Sequence, residues 1–178
     1  MPLVYQISLK QNIPEPHSNL GNLYNALNRP EEAIYSYKKA IDINPKFPIA
    51  FLNLASVYVS LGKFREAEKE LKTAINLSPN LIHAHRLLSR IIKYSENHEH
   101  LTMLKKLYKE IKINNIENRL LLAFSLGKAC EDIKDFDQSF KYYNEANTLS
   151  RKNINFSLER EKEKFKEIKN TFTKRLFG

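Results

Sequence analysis

Four basic side chains, His83, Arg86, Arg90 and Lys93, share one stripe of the segment "IHAHRLLSRIIKY", residues 82–94. In the same segment Ala84, Leu87, Leu88, Ile91 and Ile92 recur at helical spacing. That pattern predicts a helix over 82–94 with an apolar face and a basic row nearly opposite. Guanidinium groups grip carboxylate, phosphate or sulfate through a planar fork of donors. The row is therefore either anion-recognition chemistry or a plain solvated face. Where the helix sits in the fold decides between them.

Other residues with chemical potential are weaker candidates. The "HAH" of His83–His85 and the "HEH" of His98–His100 place their imidazoles at i, i+2. Helical metal ligands stand at i, i+3 or i+4, so no metal site is expected, although the two pairs could meet across a helical hairpin. Cys130 is the only cysteine, which excludes an intrachain disulfide. It falls at a packing position and is expected to be an inert thiol. No nucleophile–base pattern stands apart from the periodicity described below, so neither a catalytic residue nor a cofactor is expected.

Composition narrows the class. The chain has 178 residues, only four Gly and no Trp. Long stretches without Gly or Pro favour helices. The net charge of +9 is uneven: +2 over residues 1–80 and +7 over 81–178. Acids interleave with the bases, especially over 159–175, so nucleic acid is not the expected partner. Binding through several phosphates would weaken steeply with salt, which offers a simple check. No basic start followed by an apolar core opens the chain, and no apolar run approaches a bilayer-spanning length. A cytoplasmic location without membrane contact is expected.

The elements that position the basic stripe are periodic. "HSNLGNLYNALNRPEEAIYSYKKAIDINP" aligns with "FLNLASVYVSLGKFREAEKELKTAINLSP" at a constant offset of 34 residues. The offset pairs Leu20-Gly21 with Leu54-Ala55, Tyr24 with Tyr58, Ala33 with Ala67, Tyr37 with Leu71, Ala40 with Ala74 and Pro45 with Pro79. This pattern resembles the tetratricopeptide repeat (TPR). Its small residues let two helices approach, its aromatics fill the space between repeats, and its prolines stop the second helix. An all-α superhelical solenoid of antiparallel helix pairs is expected. Its units are TPR 1 at 14–47, TPR 2 at 48–81, a degenerate TPR 3 plus loop at 82–119, and TPR 4 at 120–153. The fourth unit starts four residues late, and the polar "KINNIEN" is the expected site of the extra residues. Residues 1–13, with Val4 and Ile7, read as the remnant of a preceding helix. Residues 154–178 read as a capping or linker helix, with Ser157 as N-cap and a stripe of Leu158, Phe165, Ile168, Phe172 and Leu176.

The resemblance implies that the first helix of each repeat lines a concave groove. The matching positions are Glu15, Ser18, Asn19, Asn22 and Asn25 in the first repeat, and Leu52, Asn53, Ser56 and Val59 in the second. In the third they are the basic row itself, and in the fourth Phe124, Lys128, Glu131 and Asp132. Asn19, Asn22, Asn53, His83, Arg86, Arg90, Lys93 and Lys128 are thus the candidate peptide-binding residues. Asparagine can bond an extended backbone as donor and acceptor. The expected ligand is an extended, acidic peptide or protein partner.

The second half also resembles the TPR region that precedes the catalytic domain of bacterial TPR–sulfotransferase proteins. The matching residues are His85, Arg86, Ser89, Arg90 and Tyr94, then Leu126, Gly127, Lys128, Ala129, Glu131, Asp132, Phe140, Tyr143, Asn147 and Arg151. Such an enzyme needs a loop resembling "GxPRSGT" to cradle its donor's 5′-phosphosulfate. The chain contains no such loop, and "KRLFG" falls about where that domain is expected to begin. The resemblance implies a substrate-recruiting region, without sulfate transfer by this chain alone.

Overall fold

The computed structural model describes residues 13–112, 115–153 and 158–176. Its helices are α1 (Pro14–Ala26), α2 (Pro30–Ile43), α3 (Pro48–Ser60), α4 (Phe64–Leu77), α5 (Ile82–Ile91), α6 (Glu99–Glu110), α7 (Ile116–Asp132), α8 (Phe136–Asn153) and α9 (Leu158–Leu176). No strand occurs among the described residues. The expected remnant at 1–13 lies, apart from Ile13, outside them.

Helices α1/α2, α3/α4 and α7/α8 are closely packed antiparallel hairpins. Proline opens α1, α2 and α3, where its missing N–H costs nothing and its fixed φ suits the first turn. Each hairpin turns through one left-handed residue: Asn28 (φ 55°), Gly62 (φ 71°) and Lys134 (φ 64°). Around it the chain closes the same backbone bond in all three. Arg29, Lys63 and Asp135 N–H donate to the carbonyls of Tyr24, Tyr58 and Cys130, at 2.9, 2.8 and 2.9 Å. These bonds satisfy carbonyls that a helix end leaves open.

Close packing within a hairpin rests on size matching. A methyl group built on Gly21 would lie 2.6–2.9 Å from the Tyr37 ring, and one on Gly127 would lie 2.8–3.1 Å from Tyr143. The second repeat carries Ala55 and the smaller Leu71 at these two positions, and both are fully buried. Glycine with tyrosine and alanine with leucine are two fillings of one space.

The third repeat departs from this plan. At the register of Ala33 and Ala67 stands Leu101, and at that of Asn28 and Gly62 stands Glu96. Helices α5 and α6 accordingly do not approach closely, and α5 packs on α7 instead. Ser89, at the register of Gly21, donates its hydroxyl to the Ser125 carbonyl of α7 at 3.2 Å. Helix α6 is displaced outward and inserts Leu101 and Leu104 into the common core.

Two sequence expectations are corrected. The basic helix does not continue to Tyr94: it ends at Ile91, and Ile92 is extended (φ −98°, ψ 158°). Side chains of α7 take over its open end. Lys128 Nζ donates to the Ile92 carbonyl, and Asp132 Oδ2 accepts the Tyr94 N–H at 2.9 Å. The four extra residues are not loop either. Helix α7 starts at Ile116, one strict period after Ile82, so they form an added N-terminal turn. The Asn115 side chain caps it by accepting the Asn118 N–H at 3.3 Å.

Helix α9 spans Leu158–Leu176. Residues 162–171 are exposed throughout, including Phe165 and Ile168 at 70% and 53%. The other members of its expected stripe, and Ser157, lie outside the described side chains.

Candidate functional site

The first helices of the units, α1, α3, α5 and α7, stand side by side and form one face. Asn19 is exposed at its start. Asn22 and Asn53 meet across α1 and α3: Asn53 Nδ2 donates to Asn22 Oδ1 at 3.0 Å, and Tyr37 Oη–H donates to the same oxygen at 2.8 Å. Ser18, an expected groove position, is buried instead.

Arg86 is half-buried, with its guanidinium 5.4 Å from the Phe124 ring centroid. Burial pushes its pKa down, and the charge of Arg90, one turn on, acts in the same direction. Arg90 is exposed. Neither has a carboxylate partner among the described residues. The acids nearby are already engaged. Asp132 is bound by Lys128 and the Tyr94 amide, which outweigh the effect of its burial and lower its pKa. Glu131 Oε2 accepts the Tyr143 hydroxyl at 2.9 Å, and that phenol is pushed up to about 12, chiefly by desolvation.

The remaining candidates behave differently. Lys128, 5.2 Å over the Tyr94 ring, is spent on Ile92 and Asp132 and braces the end of α5. Lys93 is exposed but lies beyond the helix end, off the regular stripe. His83 is exposed, 3.9 Å from Glu117. The structure thus brings together Arg86, Arg90 and the aromatic wall of Phe124 and Tyr143. Asn22 and Asn53 form a separate pair further along the same face.

Behind this face the two histidine motifs do meet, through one member of each. Tyr94 Oη–H donates to His100 Nδ1 (2.7 Å), the facing His100 Nε2 and His85 Nδ1 are 2.9 Å apart, and His85 Nε2 bonds the Pro79 carbonyl (2.8 Å). The carbonyl can only accept, so His85 carries its proton on Nε2. Nδ1 of His85 must then accept from His100 Nε2–H, and both rings are neutral. The two rings are nearly parallel, 3° apart, with centroids 5.1 Å apart, as an edge-to-edge N–H···N bond requires. Desolvation lowers both pKa values, that of His100 to about 3, with His85, His98 and Lys72 adding to the effect. This chain holds the N-terminal end of α6. At the other end Tyr108 Oη–H donates to Glu145, and Arg119 binds both, reaching Glu145 at 2.6 Å and Tyr108 at 2.7 Å. Among the described residues no group of three or more His, Cys, Asp or Glu is placed to hold a metal, and no helix is long and apolar enough to cross a membrane.

The fold is a solenoid of helical hairpins with one displaced helix. Family models for the tetratricopeptide repeat match residues 21–62, and 49–81 together with 122–153, which is more than half of the chain. The chain is a TPR protein, and the unmatched third unit is the one whose hairpin is opened. The crystal structure of MamA is similar, with 24% identity, a TM-score of 0.62, and coverage of 85% of this chain and 88% of that one. The crystal structure of YrrB is similar too, at 18% identity and a TM-score of 0.58, over 84% of this chain and 75% of that one. No curated protein matches the sequence.

Proposed function

We infer that this chain is a protein-interaction scaffold whose concave face holds an extended, acidic peptide against Arg86 and Arg90. TPR solenoids serve as interaction scaffolds, and YrrB is described as a TPR protein with an unusual peptide-binding site. One observation carries the reading here: among the described residues the two guanidiniums have no carboxylate within ion-pair distance, while Asp132 is paired with Lys128 and Glu131 accepts the Tyr143 hydroxyl. Asn19, with Asn22 and Asn53, extends the same face toward the N-terminal repeats. Asn22 Oδ1 is occupied, so Asn19 and the remaining donors of Asn22 and Asn53 are the groups offered to a peptide backbone. Lys93 adds long-range positive charge at the rim, and His83 stands beside Glu117. An exposed ion pair contributes only about 0–1 kcal/mol, so the expected affinity is about micromolar, roughly −8 kcal/mol. No residue is assigned a catalytic role.

The test is charge reversal of both arginines, Arg86→Glu with Arg90→Glu, in a capture experiment with an acidic peptide pool. Loss of capture with an unchanged helical circular dichroism spectrum supports the reading. Unchanged capture overturns it.

A second reading, a substrate-recruiting region of a protein sulfotransferase, draws on α9. Its exposed Phe165 and Ile168 leave an apolar stripe for another domain to cover. Sequencing the reading frame downstream of codon 178 tests it. An open frame encoding a Gly-containing phosphosulfate loop supports the reading, and unrelated sequence behind a stop codon contradicts it.

A further inference from the structure

We propose that the group seated between Arg86 and Arg90 is a single doubly charged side chain, a phosphate monoester on an extended segment, rather than a run of carboxylates. The proposal rests on the scaffold reading above and makes its ligand specific. Three features of the site lead to it.

The first is convergence. Arg86 and Arg90 are one helical turn apart on α5, so their guanidiniums can reach one point in space. Phe124 lies on one side of the Arg86 guanidinium, 5.4 Å from Cζ to the ring centroid, and restricts where its donor fork can go. The second is the charge balance. Asp132 is paired with Lys128, and Glu131 accepts the neutral Tyr143 hydroxyl and lies outside ion-pair distance of both arginines. Among the described residues, then, neither guanidinium has a carboxylate within ion-pair distance, and a ligand can supply the matching charge. A phosphate monoester supplies about 1.5–2 near neutral pH together with three acceptor oxygens. One carboxylate supplies a single charge and leaves one arginine unmatched.

The third feature is the geometry of an extended chain. Neighbouring side chains on an extended segment point to opposite faces, so consecutive Asp or Glu residues cannot both enter the same spot. Residues two apart do share a face, but at a spacing wider than one tetrahedral group. A doubly charged group on one residue meets the requirement that an acidic run does not. Tyr143, whose ring centroid lies 6.3 Å from that of Phe124, extends the aromatic wall without adding charge.

The experiment uses the whole chain and three peptide pools of equal length and random flanks, with phosphoserine, glutamate or serine fixed at the centre. Fluorescence anisotropy is read for each pool. The expected result is that the phosphoserine pool binds more than about tenfold tighter than the glutamate pool, and the serine pool more weakly still. Arg90→Gln, at an exposed position where refolding is not at issue, should abolish the phosphoserine advantage. Arg86→Lys should not retain it, because an ammonium lacks the fork. Equal binding of the phosphoserine and glutamate pools, or a phosphoserine preference that survives Arg90→Gln, overturns this proposal and leaves the acidic-peptide reading standing. Failure of all three pools to bind overturns both.

Discussion

The first two repeats and the third are built from the same period and end in different structures. In the first two, a small residue on each helix lets the hairpin close: Gly21 and Ala33, then Ala55 and Ala67. In the third, Ser89 keeps the first half of the bargain and Leu101 breaks the second. Helix α5 then turns to α7 for its partner, and α6 is held by side chains at its ends. The lesson concerns the proposed binding face as much as the packing. A repeat whose second helix has moved out must terminate its first helix with groups from the next one. In doing so it engages Lys128 and Asp132, and among the described residues Arg86 and Arg90 are left with no carboxylate within ion-pair distance.

The comparison can be broken most severely at Leu101. Leu101→Ala restores the small residue of the regular register but empties a buried site, and a loss of about 2–5 kcal/mol is expected in denaturant melts. Stabilisation by this change would mean that α6 is not anchored by its core leucines. Next in size is Gly127→Ala. A methyl group there overlaps the Tyr143 ring, so a loss of about 1–3 kcal/mol is expected. Adding Tyr143→Leu reproduces the alanine–leucine filling of the second repeat and should recover part of it. The same cycle at Gly21 and Tyr37 should behave alike, although there Tyr37 also gives up its bond to Asn22.

Smaller effects sharpen the account of α6. Tyr94→Phe removes the proton that His100 Nδ1 accepts in the buried chain, and should cost about 1–3 kcal/mol. Acid should act at the same place. The folded-state pKa of both histidines lies below the ordinary value near 6.5, so the unfolded chain binds more protons between that value and the folded one. Stability is therefore full above about 6.5 and falls as the pH drops from there toward about 3, the folded value of His100. Carboxylates join in at the lower end of this range, so the upper half, where histidine alone titrates, is the informative part of a melting series. Replacing His100 by Gln should flatten the slope there. The smallest effect on stability is expected at Arg90. As an exposed residue without a partner, Arg90→Gln should change it by no more than about 0.5 kcal/mol, while weakening peptide binding.

Much of this was legible in the sequence. The 34-residue offset located α1 to α4 and the start of α5, and several of the repeated features have a local cause: Pro14, Pro30 and Pro48 at first turns, Gly62 at a left-handed position. The signals for the opened hairpin, Leu101 and Glu96 at the wrong registers, were also present in the sequence. Two features were not legible. The end of α5 at Ile91 is set by Lys128 and Asp132, more than thirty residues away in the chain, and no local pattern announces it. The added turn of α7 was hidden by the polar composition of "KINNIEN". Its helicity depends on the Asn115 cap and on the pairing of Arg119 with Glu145, which is again a long-range partner. For the proposed site, the basic stripe named Arg86 and Arg90 as candidates. Which cations are free and which are braces emerged only from the hydrogen bonds.

The most direct test of the account is an amide NMR titration of the isotope-labelled chain with the tightest binder from an acidic peptide pool. The alternative location is the cavity of about 530 Å³ between α4 and α6, lined by Ile75, Pro79, His85, Met103 and Leu107 among others. The account predicts shifts at Asn53, Arg86, Arg90 and Phe124 on the inner face, with Ile75, Met103 and Leu107 unmoved. Shifts confined to the α4–α6 cavity would contradict it.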